Sequence, residues 1–269
     1  MQVFARFFIP ALLLALPALS NAQERAAAPV TERQAAVQLA EGDWQERYNA
    51  VIFVMKLGAE ASAELRLAVI DAAWAELRQE TDTPPESEAI FGYLQAVAEM
   101  GDPRAIPFLV EALIYGGENA LADIGARAFP AVLEAVSDPD EHGSRARGAL
   151  TVLRFMLEDG ILTAGQTDQV RALVRERLSG TQDTKIVGAA VRLALALGDP
   201  ELRAIVERFA NDRGFAEALV SPYLSSGNPM STAGHAKWVN IHQKRARTFL
   251  DGGGADIGPF RKRIAVTIH

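Results

Sequence analysis

The chain has four histidines, His142, His235, His242 and His269, and imidazole is both a common metal ligand and a common general base. His235 and His242 are seven residues apart, two turns along one helix face, which is too far for local chelation of one ion. The i, i+4 histidine pair with its carboxylate, the pattern of a helical zinc site, does not occur. All four are therefore read as solvated surface histidines. Gly252-Gly253-Gly254 and Gly258 have the composition of a phosphate loop, but no strand-like run precedes them and no Lys-Ser/Thr follows. No Gly-x-Ser-x-Gly elbow is present. The acid pairs Asp138/Asp140 and Glu118/Asp123 fall at turns or on polar helix faces, where capping and solvation account for them. The arginine-rich faces (Arg145, Arg147, Arg171, Arg175, Arg177) are expected to pair with neighbouring acids. No catalytic residue, no cofactor and no metal site is expected.

Charge distribution leaves one functional candidate. Residues 221–269 hold seven basic residues and two acids, net +5, whereas residues 23–220 hold 19 basic and 32 acidic residues, net −13. The tail therefore carries the candidate partner-binding residues Lys237, Trp238, Lys244, Arg245, Arg247, Arg261, Lys262 and Arg263. Two roles compete for them. They cap the end of the acidic body, or they contact an anionic partner, with Trp238 adding a face on which a cation or ligand can stack. The whole chain carries −7 and so is not suited to nucleic acid.

The elements that would position these residues are helices. Of 269 residues, 49% are hydrophobic and 23% charged, with no cysteine, which excludes disorder and disulfide scaffolds. From Trp44 to Ala210 apolar residues recur at i, i+3, i+4 and i+7, as in Tyr48/Val51/Ile52/Met55 and Ile106/Leu109/Val110/Leu113. Phe129/Val132/Leu133/Val136, Ala146/Ala149/Leu150/Leu153 and Leu202/Ile205/Val206/Phe209 repeat the pattern. Gly101-Asp102-Pro103 and Gly198-Asp199-Pro200 punctuate the run. In each, the Gly ends one helix, the Asp caps the next and the Pro occupies its first turn. Gly234 to Leu250 reads as a further helix, and Ile264 to Ile268 alternates as a short strand would.

The stretch from Gly101 to Leu113, the junction from Leu121 to Ala135 and the turn and helix from Asp138 to Leu150 resemble HEAT-like repeats, in particular the bilin-lyase-type subgroup. That resemblance implies an all-α fold: an α-solenoid of about five stacked helix pairs, with the basic segment as a C-terminal extension. It also implies extended recognition rather than built-in chemistry. The expected organisation is a signal peptide over 1–22, a partly disordered leader over 23–42, the repeat domain over 43–220 and the extension over 221–269.

The compartment is read from the start of the chain. Arg6 precedes a 13-residue apolar run, Phe7 to Leu19, and then Ser20-Asn21-Ala22. This is the order of a cleaved secretory signal, cut after Ala22, and the run is too short for a membrane span. The expectation is a periplasmic or secreted, non-catalytic scaffold or adaptor that binds another protein of the cell envelope, without nucleic acid and without an integral span. Two alternatives are a chromophore-handling enzyme like the bilin lyases and an envelope-binding module whose basic segment meets an anionic surface.

Overall fold

The computed structural model describes residues 31–78, 87–137, 143–224 and 227–252. Among them the chain is all-α: thirteen α-helices, short 3-10 turns and two isolated β-bridges. The first half comprises α1 (Glu32–Glu41), α2 (Trp44–Leu57), α3 (Ala63–Leu77), α4 (Ser87–Met100), α5 (Ile106–Glu111) and α6 (Glu118–Ile124). Then come α7 (Phe129–Ser137), α8 (Gly143–Glu158), α9 (Ala164–Arg177) and α10 (Thr184–Ala196). The chain continues through α11 (Pro200–Asn211), α12 (Arg213–Leu219) and α13 (Thr232–Leu250).

Local chemistry accounts for the boundaries. At the two punctuated breaks, Gly101 (φ 59°) and Gly198 (φ 64°) take the left-handed conformation that ends a helix. The carboxylate of Asp102 then accepts from the Arg104 amide, and that of Asp199 from the amides of Glu201 and Leu202. Asp43 with Glu46, and Thr163 with Gln166, form reciprocal capping boxes at the starts of α2 and α9. Asp102 is itself buried and bonded to the Arg104 guanidinium at 2.6 Å. That hydrogen bond is the main cause that holds its carboxyl below the usual range, so its contribution is lost only as pH falls below about 3.8.

Packing runs along two rows. Helix α2 contacts α4, α4 contacts α6, α6 contacts α8 and α8 contacts α10, while α10 contacts α13. On the other side α1, α3, α5 and α7 touch in succession. Each pair from α1/α2 through α9/α10 is also in direct contact, so the buried side chains form one cluster from Ala35 to Ala246. Helix α8 sits deepest, burying nine residues including Leu150, Leu153, Phe155 and Met156. Gly148 allows this, because a Cβ there would lie 3.1 Å from the Cβ of Leu113.

The segment read as a leader carries helix α1, whose Ala35 and Leu39 are buried. Two stripes also turn by one position. In α2 the buried set is Ala50, Val51 and Val54, with Tyr48 exposed, and in α7 Val132 is buried while Leu133 is only partly covered. Both helices are apolar on several faces, so spacing alone leaves the inward direction open and packing of the smaller residues decides it. The expected helix near Gly234 is α13. The signal segment, the 264–268 strand and Gly253, Gly254 and Gly258 lie outside the described residues.

Leu109 is fully buried, so Leu109→Ala is expected to cost roughly 2–5 kcal/mol in a denaturant melt. Leu133→Ala should cost at least about 1 kcal/mol less, because a partly covered site leaves little cavity. Equal losses would contradict the observed rotation of α7.

Candidate functional site

A heavily charged cavity lies where α6, α8, α10 and α13 meet, and its volume is about 280 Å³. Three of these helices contribute the same i, i+4, i+7 strip: Arg147, Thr151 and Arg154 from α8; Lys185, Ala189 and Arg192 from α10; Trp238, His242 and Arg245 from α13. Such spacing holds three side chains on one helix face, and the contacts of α8 with α10 and of α10 with α13 align the strips. Glu118, at the start of α6, is the one acid on the wall.

The charges do not balance. Arg154 pairs with Glu158 at 2.7 Å and lies over the Phe155 ring, and Lys185 Nζ donates to Ser144 Oγ at 2.7 Å. Arg147, Arg192 and Arg245 form no ion pair with any described residue. The Arg192 guanidinium stacks 5.2 Å from the Phe249 ring centroid, and its buried Nε has no hydrogen-bond partner. Burial, reinforced by Arg154, Arg245 and Arg147, disfavours its charge.

His242 lies at the bottom of the cavity, 4% exposed and stacked on Trp238 at 5.9 Å, and its ring has only the Thr184 backbone beside it, without a full hydrogen bond. Burial, with Arg245 adding to it, pushes its pKa down to about 4. This corrects the reading of the histidines as surface groups. His235 is also partly buried, its Nε2–H donating to the Val220 carbonyl at 2.8 Å. The two rings serve different contacts, and among the described residues no three His, Cys, Asp or Glu side chains gather into a metal-binding group. His142 and His269 lie outside the described residues, as do Asp138 and Asp140.

The tail residues divide in three. Trp238 and Arg245 enter the cavity, whereas Lys237 and Lys244 are exposed and away from it. Arg247 is used internally: its Nε donates to the Ala210 carbonyl at 3.0 Å, beside Gln243, which donates to the Phe209 carbonyl at 3.0 Å. These bonds satisfy the last carbonyls of α11, where a cation is also favoured by the helix dipole. Helix α13 thus docks on α10 and α11 through Val239, Ala246 and carbonyl caps rather than through acid–base pairs. Arg261, Lys262 and Arg263 lie outside the described residues.

Of the arginine faces expected to pair with acids, Arg145 meets Glu111 at 2.8 Å, Arg175 meets Glu201 at 2.8 Å, and Arg171 meets Asp168 and Asp199. Arg177 instead donates to the Val136 carbonyl. Arg147 departs from the expectation by facing the cavity. Arg147, Arg154, Lys185, Arg192 and His242 were not singled out as site residues by sequence reasoning. The usable signal was in α8, whose Arg147, Thr151 and Arg154 interrupt an otherwise buried helix at i, i+4 and i+7.

What this arrangement offers chemically is electrostatic capture, since guanidinium forks and an ammonium favour oxyanions over neutral ligands. Comparison with protein-family models, curated proteins and solved structures finds no match for the chain. No helix among the described residues is long and apolar enough to cross a membrane.

His242 provides a titration test. Arg245, Arg192, Lys185, Arg147 and Arg154 face its side of the cavity and oppose its protonation, while Asp183 and Glu118 are the nearby acids. Its folded pKa is depressed, so between about pH 6.5 and 4 the unfolded chain takes a proton that the folded chain refuses. Stability should therefore fall by roughly 3 kcal/mol across that window as pH drops. Urea melts of wild type and His242→Gln from pH 7 to 4 measure the difference. Parallel pH profiles would show that His242 titrates normally.

Proposed function

We propose that the chain is an exported, non-catalytic α-solenoid of HEAT-like helix pairs that binds an acidic partner protein of the cell envelope through this basic cleft. The observation that carries the reading is the set of unneutralised cations, Arg147, Arg192 and Arg245, gathered on one face of three successive row helices. Arg145, Arg171, Arg175 and Arg177 find a carboxylate or a carbonyl, whereas these three line a shared cavity and are free to meet a charge from outside. Support for the solenoid comes from the contacts within and between the pairs α1/α2 through α9/α10, with α11 to α13 closing one end. Export rests on the Arg6, Phe7–Leu19, Ser20-Asn21-Ala22 pattern.

Two measurements test it. N-terminal sequencing of natively expressed material should read from Gln23, and a retained Met1 would remove the export element. Partner capture from the native envelope should weaken about tenfold in the Arg147→Gln/Arg245→Gln double variant and should fall with added salt. The same variant should melt within about 0.5 kcal/mol of wild type, as exposed substitutions do. Capture that is insensitive both to the variant and to salt would defeat the partner reading.

A further inference from the structure

We infer that the cleft is a binding site for a phosphate-class oxyanion, either a phosphate monoester or free phosphate, held by Arg147, Arg192 and Arg245. The inference rests on the reading of this cleft as the working surface and names the group that enters it.

Three features point to that class. First, the charge to be met is large. Arg147, Lys185, Arg192 and Arg245 face the cavity against the single carboxylate of Glu118, because the charge of Arg154 is already answered by Glu158. A monocarboxylate would leave most of that charge standing, whereas a phosphate carries up to two negative charges near neutral pH. Second, the guanidinium groups come from three separate helices, α8, α10 and α13, yet line one cavity, and Arg147 and Arg245 lie close enough to Arg192 to oppose its charge. A planar carboxylate is satisfied by forks in its own plane, but a tetrahedral oxyanion accepts donors from all sides. Third, the floor of the cleft keeps its polar capacity unspent. His242 is 4% exposed, with no full hydrogen bond and only the Thr184 backbone beside its ring, and Arg192 Nε is buried and unpartnered. Buried polar atoms are nearly always bonded, so unmet ones lining a cavity mark where a ligand or ordered water belongs.

The size of the cleft allows a substituent on the phosphate. Its 280 Å³ is more than a bare phosphate fills. Half-buried Trp238, stacked on His242, forms an apolar wall beside the cations for a planar body.

The site also has a cost that separates ligand binding from a structural role. Without an anion, Arg192 is desolvated and repelled by three other arginines, so its charge opposes folding. Arg192→Met removes the charge and keeps the contact with Phe249. It is expected to melt at or above the temperature of wild type while losing the ligand, a pairing that a scaffolding residue would not give.

The experiment is calorimetric titration of the full chain with sodium phosphate, phenyl phosphate and sodium acetate at matched ionic strength. Saturable binding of both phosphates, at least about tenfold tighter than acetate, is expected, together with at least a tenfold loss in Arg192→Met. Arg192→Lys, which keeps the charge without the fork, should fall between. A phenyl phosphate advantage that disappears in Trp238→Ala identifies a monoester as the source. Equal affinity in wild type identifies free phosphate, and either result supports the site. If acetate and phosphate behave alike, or Arg192→Met leaves phosphate affinity unchanged, the inference is overturned. Should phosphate fail to bind while partner capture still depends on Arg147 and Arg245, this inference falls and the partner reading stands. Should phosphate bind while capture ignores those residues, the partner reading falls alone.

Discussion

Helix α8 is in contact around almost its whole circumference, with α6, α7 and α10 and with the turn that follows α5. That constraint governs the rest of the molecule. A helix so enclosed must be small where neighbours approach, which is why Gly148, Ala146 and Ala149 lie beside Leu150 and Leu153. Beyond Arg145, which reaches Glu111 near the start of the helix, it also leaves only one strip of its surface for polar side chains. Arg147, Thr151 and Arg154 occupy that strip, so these two cations are committed to one direction by the packing of the opposite faces. The cleft is therefore a product of core geometry and not of a loop.

The same logic explains why α13 belongs to the site although it begins beyond a loop marked by Ser221-Pro222 and Asn228-Pro229. Helix α11 ends with carbonyls that need donors, and Gln243 and Arg247 supply them. Val239 and Ala246 close the apolar seam between the two helices. With these four residues fixed on one side of α13, the positions one helical face away are set. They are Trp238, His242 and Arg245, directed at α10. Thr184 and Lys185, at the start of α10, line the same cavity, so the N-terminal turn of that helix also forms part of its wall.

Much of this fold was legible in the sequence, because its strongest signals are local. Asp102 and Asp199 cap the helices that their Gly-Asp-Pro contexts announce, and the apolar spacing marks the helices themselves. The face each helix turns inward was less legible where apolar residues surround it, as in α2 and α7. The site was least legible. Its residues come from four helices separated by up to 127 positions, from Glu118 to Arg245, and no local spacing joins them. The tail charge excess pointed to Trp238 and Arg245 but also to Arg247, which is occupied internally. His242 was indistinguishable from a surface histidine because its burial depends on helix α10, more than forty residues earlier.

Burial of unpaired charge is the feature of the molecule that packing alone does not require. Desolvation and the repulsion of Arg154, Arg245 and Arg147 both disfavour the charge of Arg192, so folding gives no reason to hold it there. The net charge of the chain is −7, and carboxylates are plentiful enough that Arg145, Arg171 and Arg175 each find one. Acids are thus available across the surface yet nearly absent from this wall, where Glu118 stands alone. A segregated positive field inside a negative body draws anions to one place and repels them elsewhere, which sets both approach rate and orientation. Helices fix these donors in place, so an anion that met them would leave little ordering to be done on binding. The depressed titration of His242 has burial as its first cause, and the field of Arg245 and Arg192 adds to it; only that second contribution, which disfavours one more proton, is the one that favours an anion.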